Sequence, residues 1–349
     1  WILGEHPLDV LDDIDLVCVS GGVPLSLPIV VEAIAREIPL SNDSQIFMEV
    51  APCRVIGITG SAGKTTTTSL VGQMAAHSLK DPSRVWVGGN IGNPLISSVN
   101  EISSDDLVVM ELSSFQLDQM TISPQVAVVL NITPNHLDRH GNMQAYTAAK
   151  RRILDYQGAA DKAVLGCDDP GAWGLADSLR GDLISFGLAR PPKGQRGIFL
   201  QDGWIKLWDR ETALELIPQN SIPLRGEHNL YNVLAACAIA VAADFSSEAI
   251  QTAVAEFAGV PHRLEFVRSW GDADWYNDSI ATAPERAMAA IHSFDEPLVL
   301  MLGGRDKDLP WEALAQLVCQ RVDHLVIFGE AAELIAHAVS SAGPAERPY

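Results

Sequence analysis

A glycine-rich turn between an apolar run and a helical pattern carries the clearest chemistry in this chain. Arg54-Val-Ile-Gly-Ile-Thr59 leads into Gly60-Ser61-Ala62-Gly63-Lys64-Thr65-Thr66, and an amphipathic pattern follows. A strand, a glycine turn and a helix N-terminus in that order cradle an anion, because backbone N–H groups and the helix dipole both face it. Lys64 would reach terminal phosphates, and the Thr65 hydroxyl would ligate Mg²⁺. Ile58 stands six residues before Lys64, where the general Walker pattern has glycine. The working core is therefore the shorter Thr-Gly-x-x-Gly-Lys-Thr. Its plain alternative is a glycine turn with a surface lysine.

Other candidates need help from their neighbours. Glu111 ends an apolar run at the strand edge where α/β sites form, which suits a Mg²⁺ carboxylate beside Thr65; the alternative is an exposed strand-end acid. His136, taken alone, reads as structural. His136-x-x-x-His140 has the helical spacing of zinc ligands but lacks a nearby third ligand and the Glu of His-Glu-x-x-His. Lys150-Arg151-Arg152 reads by composition as a solvated basic face. Asn229 and Asn232 are spaced i, i+3 near a helix start and share a face, with capping by Asn229 as the bland role.

The elements that must position these groups alternate along the chain. Strands are expected at 15–20, 54–59, 107–112, 126–132, 162–165, 298–302 and 325–328, mostly as continuous apolar runs buried on both faces. Helices are expected at 65–79, 145–156, 230–243, 283–292, 311–319 and 331–339. The alternation predicts a doubly wound α/β architecture. The stretch 198–224 alternates apolar and polar residues around Asp202-Gly203, predicting an antiparallel appendage. Three domains are expected: 1–47, 48–260 and 261–349.

With 349 residues, 47% of them hydrophobic and 19% charged, the chain is a folded one of more than one core. Its net charge of −20 argues against a general binder of nucleic acid or anionic membrane. The longest apolar run, 233–243, is too short to span a bilayer. No signal peptide opens the chain and no Cys-x-x-Cys pair occurs among its five cysteines, so a cytoplasmic enzyme is expected.

Together with the phosphate loop, further strings resemble the Mur ligase family. They are Gly88-Gly-Asn-Ile-Gly-Asn-Pro94, Glu111-Leu-Ser-Ser-Phe-Gln-Leu117, Leu130-Asn-Ile-Thr-Pro-Asn-His-Leu-Asp-Arg-His140 and Arg225-Gly-Glu-His-Asn-Leu-Tyr-Asn232. The resemblance continues through Pro261-His-Arg-Leu-Glu265, Asn277-Asp-Ser-Ile-Ala-Thr282 and Leu302-Gly-Gly-Arg-Asp-Lys307, covering nearly the whole chain. It implies a central P-loop ATPase-like parallel sheet flanked by Rossmann-like N- and C-terminal domains. It also implies ATP-dependent amide-bond formation through an acyl phosphate. The first two strings point to members that add D-glutamate to UDP-N-acetylmuramoyl-L-alanine in peptidoglycan-precursor synthesis. A folylpolyglutamate-type ligase and a non-catalytic ATP-binding fragment are the alternatives.

The resemblance also implies roles. Gly60, Ser61, Ala62, Gly63, Lys64, Thr65 and Thr66 hold the ATP phosphates, with Asn229 and Asn232 at the adenine and phosphate side. Arg263 reaches the phosphates from the last domain, and Asp278 meets the ribose. Thr65, Glu111, His136 and a carbamylated Lys150 serve two Mg²⁺ ions, and Lys64, Glu111, His136 and Lys150 form the catalytic set. Ser20, Gly22, Asn90 and Ser113 face the sugar nucleotide; Thr282 and Lys307 face D-glutamate, with a helix cap and a loop cation as their bland readings. A monomer is expected. The chain departs from the family pattern at Gly21 for proline, Asn135 for aspartate and Ile280 for a second substrate lysine, a charge Arg305 could supply. The family's first strand and last loop have no counterpart here, so a chain cut at both ends is expected.

Overall fold

The computed structural model describes residues 4–305 and 309–343, and the chain separates into two units. One comprises the chain through Ile222 together with Tyr231–Phe257; the other comprises Pro223–Leu230 and the chain from Ala258 onward.

In chain order the first unit begins with β1 (Val17–Cys18), α1 (Pro28–Ala35), β2 (Leu40–Ser41) and α2 (Asp43–Val50). Next come β3 (Arg54–Thr59), α3 (Lys64–Ser78), β4 (Val85–Gly89), β5 (Leu107–Glu111), α4 (Ser114–Leu117) and β6 (Val126–Val129). They are followed by α5 (Leu137–His140), α6 (Met143–Asp155), β7 (Lys162–Gly166), α7 (Pro170–Trp173) and β8 (Asp182–Phe186). The unit closes with β9 (Arg196–Gln201), β10 (Trp204–Asp209), β11 (Thr212–Pro218), α8 (Glu227–Ala242) and α9 (Ser247–Glu256). The boundary between the units falls inside α8.

A nine-stranded sheet in the order β11-β10-β9-β8-β7-β6-β3-β5-β4 organises this unit. Every pair from β4 across to β9 is parallel. Val55, Val108, Met110, Ala127, Val129, Ala163 and Leu165 enter one core with Phe47 of α2 and Tyr146 and Ile153 of α6. The alternate residues Ile56, Ile58, Val109 and Val128 are equally buried. Both sheet faces are thus covered, which is why these strands are unbroken apolar runs. Beyond its polar first turns helix α8 is apolar all round, and Val233 through Ala240 lie in the interior.

The stretch read as an antiparallel appendage is antiparallel, and it is continuous with the central sheet. β9 pairs parallel with β8, and β10 and β11 then add antiparallel strands. Asp202 and Gly203 both have positive φ, the backbone that a two-residue hairpin turn requires. The sequence missed β4 and β8, whose runs are short and carry glycine, serine or aspartate. The strand expected at 15–20 shrinks to two residues.

The second unit holds an antiparallel hairpin, β12 (Glu265–Trp270) and β13 (Ala273–Asn277). It continues with α10 (Pro284–Ile291), β14 (Val299–Gly303), α11 (Glu312–Arg321), β15 (His324–Phe328) and α12 (Ala332–Ser341). β14 and β15 pair in parallel, with Leu300, Leu302, Leu325 and Ile327 packed against the helical core around Val318 and Ile335. Val299, Met301, Val326 and Phe328 on the other face are exposed. Burial on both faces, expected for these two strands, therefore fails here among the described residues. The α/β class itself is borne out.

Candidate active site

β3 ends at Thr59 and α3 begins at Lys64, so the four residues between them form the phosphate loop. Gly63 caps α3 with φ +84°, a left-handed backbone that L side chains avoid. A Cβ there would also collide with Asn232 Oδ1. Two anchors hold the loop to the chain leaving β6. Ser61 N–H donates to Asn131 O at 3.0 Å, and Ala62 N–H donates to Asn131 Oδ1 at 2.8 Å. The Asn131 amide returns a hydrogen bond to Ala62 O at 3.2 Å. The Ser61 hydroxyl donates to Thr133 O and accepts from Thr133 N–H, both at 2.9 Å, and lies 3.0 Å from the Tyr146 hydroxyl. The Ser61 and Ala62 amides are thus engaged.

Glu111, at the end of β5, is 2% exposed rather than a surface acid. Thr65 Oγ1 donates to its Oε2 at 2.9 Å, and Asn90 Nδ2 donates to its Oε1 at 2.8 Å. Gly60 O accepts from two lysines, Lys64 Nζ and Lys150 Nζ, each at 2.9 Å. Lys150 is 1% exposed, and its second contact is Thr59 Oγ1 at 3.3 Å. Burial first, and the charge of Lys64 second, pull its pKa from 10.5 down to about 6, against the opposing pull of Glu111.

The solvated-face reading of 150–152 is thereby overturned for Lys150. Successive residues on α6 turn to different surroundings. Arg151 pairs with Asp155 at 3.0 Å near solvent, while Arg152 donates to Leu117 O and Met120 O.

His136 precedes α5 in a left-handed backbone, φ 52°, and its ring meets the Phe115 ring edge-on at 5.3 Å. Partial desolvation, and then the cations Lys64, Lys150 and Arg139, lower its pKa, although Asp138 opposes them. His140 stacks on Phe115 at 5.0 Å, with Nε2 2.9 Å from Ser114 Oγ. Among the described residues no three His, Cys, Asp or Glu side chains gather as a metal group.

Ser113 caps α4. Its hydroxyl accepts from Gln116 N–H and donates to Gln116 Oε1 at 2.9 Å. Gln116 Nε2 reaches Ser44 Oγ at 2.8 Å and Asn42 Nδ2 reaches Gln116 O at 2.8 Å, tying the N-terminal segment to this helix. The turn at Ser20-Gly21-Gly22 lies alongside, since a Cβ on Gly21 would sit 3.8 Å from Phe115 and Gln116. Lys64, Thr65, Asn90, Glu111, Ser113, His136 and Lys150 thus belong to one unit. Asn232 joins them, its Oδ1 accepting from Thr67 Oγ1 at 3.5 Å.

In the second unit Asn229 Nδ2 donates to Arg225 O at 2.8 Å. Burial raises the pKa of Asp278, opposed by Leu264 N–H, which donates to it at 2.9 Å, and by the charges of Arg263 and His228. Thr282 is not a helix cap, because Ala283 holds that position in α10 without a side-chain bond. Ile280 is exposed, and Arg305 pairs with Glu330 at 3.3 Å. Lys307 lies outside the described residues.

A family model described as the Mur ligase middle domain matches residues 58–240. The UDP-N-acetylmuramoylalanine--D-glutamate ligase of Acetivibrio thermocellus is 39% identical over 336 residues, which cover 96% of this chain and 71% of that protein. The protein of the same name from Symbiobacterium thermophilum is 40% identical over 345 residues, 98% of this chain and 74% of that one. The chain belongs to the Mur ligase family.

Among solved structures, MurF from Acinetobacter baumannii matches with a TM-score of 0.63 at 21% identity, over 84% of this chain and 67% of that one. UDP-N-acetylmuramate-alanine ligase MurC from Thermotoga maritima gives 0.62 at 22%, over 99% and 78%. These distant likenesses speak for the Mur ligase fold alone. No helix among the described residues is long and apolar enough to cross a membrane.

Mur ligases are in general ATP-dependent and use Mg²⁺, and the donor set suits that ion. One buried carboxylate beside one hydroxyl at a helix N-terminus leaves the remaining positions to phosphate oxygens and water, the usual Mg²⁺ arrangement. Sequence reasoning assigned no role to Asn131, Tyr146 or Gln116. Asn131 and Gln116 lay inside quoted strings and Tyr146 within an expected helix, but an amide or a phenol at such a position carries no spacing signal.

Proposed function

We propose that this chain is the ligase that joins D-glutamate to UDP-N-acetylmuramoyl-L-alanine with ATP, a cytoplasmic, monomeric enzyme of peptidoglycan-precursor synthesis. The observation that carries this reading is the likeness of nearly the whole chain to ligases named for that reaction.

Transfer of the ATP γ-phosphoryl group to a substrate carboxylate, with ADP leaving, gives an acyl phosphate; the amine of D-glutamate attacks its carbonyl carbon, loses a proton and expels inorganic phosphate to form the amide. Such a step asks for placed cations more than for covalent help. Lys64 supplies one at the loop. Thr65 and Glu111 would hold Mg²⁺, and His136 and carbamylated Lys150 a second ion; when bound, the metal offsets charge on the transferring phosphoryl group. The lowered pKa of Lys150 supports the carbamate, because only a neutral amine adds CO₂. Asn90, Ser113, Ser20 and Gly22 are assigned to the sugar nucleotide. Arg263, Asp278, Thr282 and Lys307 keep the roles that the resemblance gives them, within domains at 1–47, 48–260 and 261–349.

Phosphate release by the chain with UDP-N-acetylmuramoyl-L-alanine should be stimulated by D-glutamate above L-glutamate, L-lysine and meso-diaminopimelate. Preference for any other amino acid overturns the reading. Mg-ATP binding with no release in the presence of both substrates overturns it in favour of a binding fragment. Lys64→Ala should abolish release.

A further inference from the structure

We infer that Asn131 is the positioning residue of the phosphate loop, holding residue 62 in the conformation that the nucleotide meets. The inference rests on the ATP-binding half of the function proposed above. Its carboxamide binds both ends of one residue: Oδ1 takes the Ala62 N–H at 2.8 Å and Nδ2 gives to Ala62 O at 3.2 Å. Its own carbonyl takes the Ser61 N–H at 3.0 Å. Three hydrogen bonds from a single residue thus span two consecutive loop residues, in the manner of a short strand pairing. The Ser61 and Ala62 amides serve as anchors that set the path of the loop into α3.

The pattern is more than a fold-stabilising contact because Ala62 is exposed while Asn131 is only partly buried. Water can replace the lost partners when the side chain is cut back, so folding loses little. The loop's order is what suffers. Ser61 keeps the Asn131 main-chain carbonyl and Thr133, but residue 62 would have to be ordered by the nucleotide itself, weakening its binding by about 5- to 30-fold as one residue's backbone freedom is regained.

The experiment is titration calorimetry of Mg-ATP on the full chain, comparing wild type with Asn131→Ala and Asn131→Asp. Thermal melting without nucleotide and binding of UDP-N-acetylmuramoyl-L-alanine serve as parallel readouts. The expected result is a loss of about 5- to 30-fold in Mg-ATP affinity for Asn131→Ala, with melting and sugar-nucleotide affinity near wild type. Asn131→Asp should bind more weakly still. Its carboxylate accepts from Ala62 N–H but cannot donate to Ala62 O, and it adds negative charge beside the phosphates. Being isosteric, it carries the test alone should the alanine variant not fold. Nucleotide affinity unchanged in the variants overturns the inference, as does an equal loss of both ligands with a large fall in melting temperature. The readout is independent of the amino-acid substrate, so a chain that prefers something other than D-glutamate overturns the proposed function and not this assignment.

Discussion

Replacing Lys150 by methionine should remove a pH dependence from the stability of the fold. The amine is buried, hydrogen-bonded only to the neutral oxygens Gly60 O and Thr59 Oγ1, and held to a pKa of about 6. Between that value and the ordinary 10.5, the unfolded chain binds a proton at this lysine that the folded chain does not. Stability contributed by Lys150 therefore rises with pH across that window, by about 1.4 kcal/mol per pH unit. Below the folded pKa both states are protonated and the penalty is constant, of order 6 kcal/mol. Methionine has similar length and bulk and no charge, so its contribution is flat. The lost hydrogen bonds are worth about 1 kcal/mol each, and Gly60 O keeps Lys64 as a partner.

The stability of wild type relative to Lys150→Met should thus increase by about 4 kcal/mol between about pH 6.5 and 9.5, with the methionine variant the more stable at the acid end. Urea unfolding followed by circular dichroism, in buffer freed of CO₂, reads the difference at each pH. A difference that stays constant to within about 0.5 kcal/mol would refute the reasoning, because it would put the amine at its ordinary pKa inside the fold. Bicarbonate provides the complement: a carbon-13 carbamate signal should appear in wild type at neutral pH, fade as the pH falls below about 6, and be missing at this site in the variant.

Gly63→Ala should lower Mg-ATP affinity at least about tenfold by calorimetry, since the left-handed backbone alone costs an alanine about 1–2 kcal/mol and the new Cβ strikes Asn232. Glu111→Gln keeps the size of the group and removes its charge; phosphate release should fall about 100-fold or more, while the nucleotide-free melting temperature holds or rises as a buried charge is lost. Gly21→Ala should raise the unfolding free energy by about 0.4–1 kcal/mol in urea titrations, because Gly21 is outside the positive-φ set and its Cβ meets only ordinary contacts.

The phosphate loop was legible because its signal is local: glycine spacing, a preceding apolar run and a following amphipathic pattern all lie within about two dozen residues. The central sheet was legible for a related reason, since strands buried on both faces leave no polar alternation in their sequence. The fate of Lys150 was not legible from composition. Three consecutive bases look alike in sequence, yet a helix turns each by about 100°, and here that rotation separates a core amine, a surface ion pair and a cap on two carbonyls. Asn131 was hidden for the opposite reason. Its importance comes from the approach of residues 131 and 62 just beyond the parallel pair β3 and β6, two positions distant in sequence and joined by no periodicity. β14 and β15 misled through their apolar runs, because an unbroken run does not say whether a second layer covers it among the described residues.

The surroundings of Lys150 make most sense when its charge is reversed. A buried lysine with no carboxylate bonded to it, placed where another lysine repels it, breaks the usual rule that buried charges are paired. Lys64 is the cause of part of that depression. Conversion of the amine to a carbamate turns the same neighbour from a source of repulsion into a partner, so one fixed charge disfavours the ammonium and favours the anion. Glu111 acts in the other direction, drawing the amine toward protonation and repelling a carbamate. A divalent ion beside Glu111 and Thr65 would remove that opposition. Carbamylation and metal binding should therefore be coupled at this site, each raising the occupancy of the other, with the shared carbonyl of Gly60 holding both lysines in register.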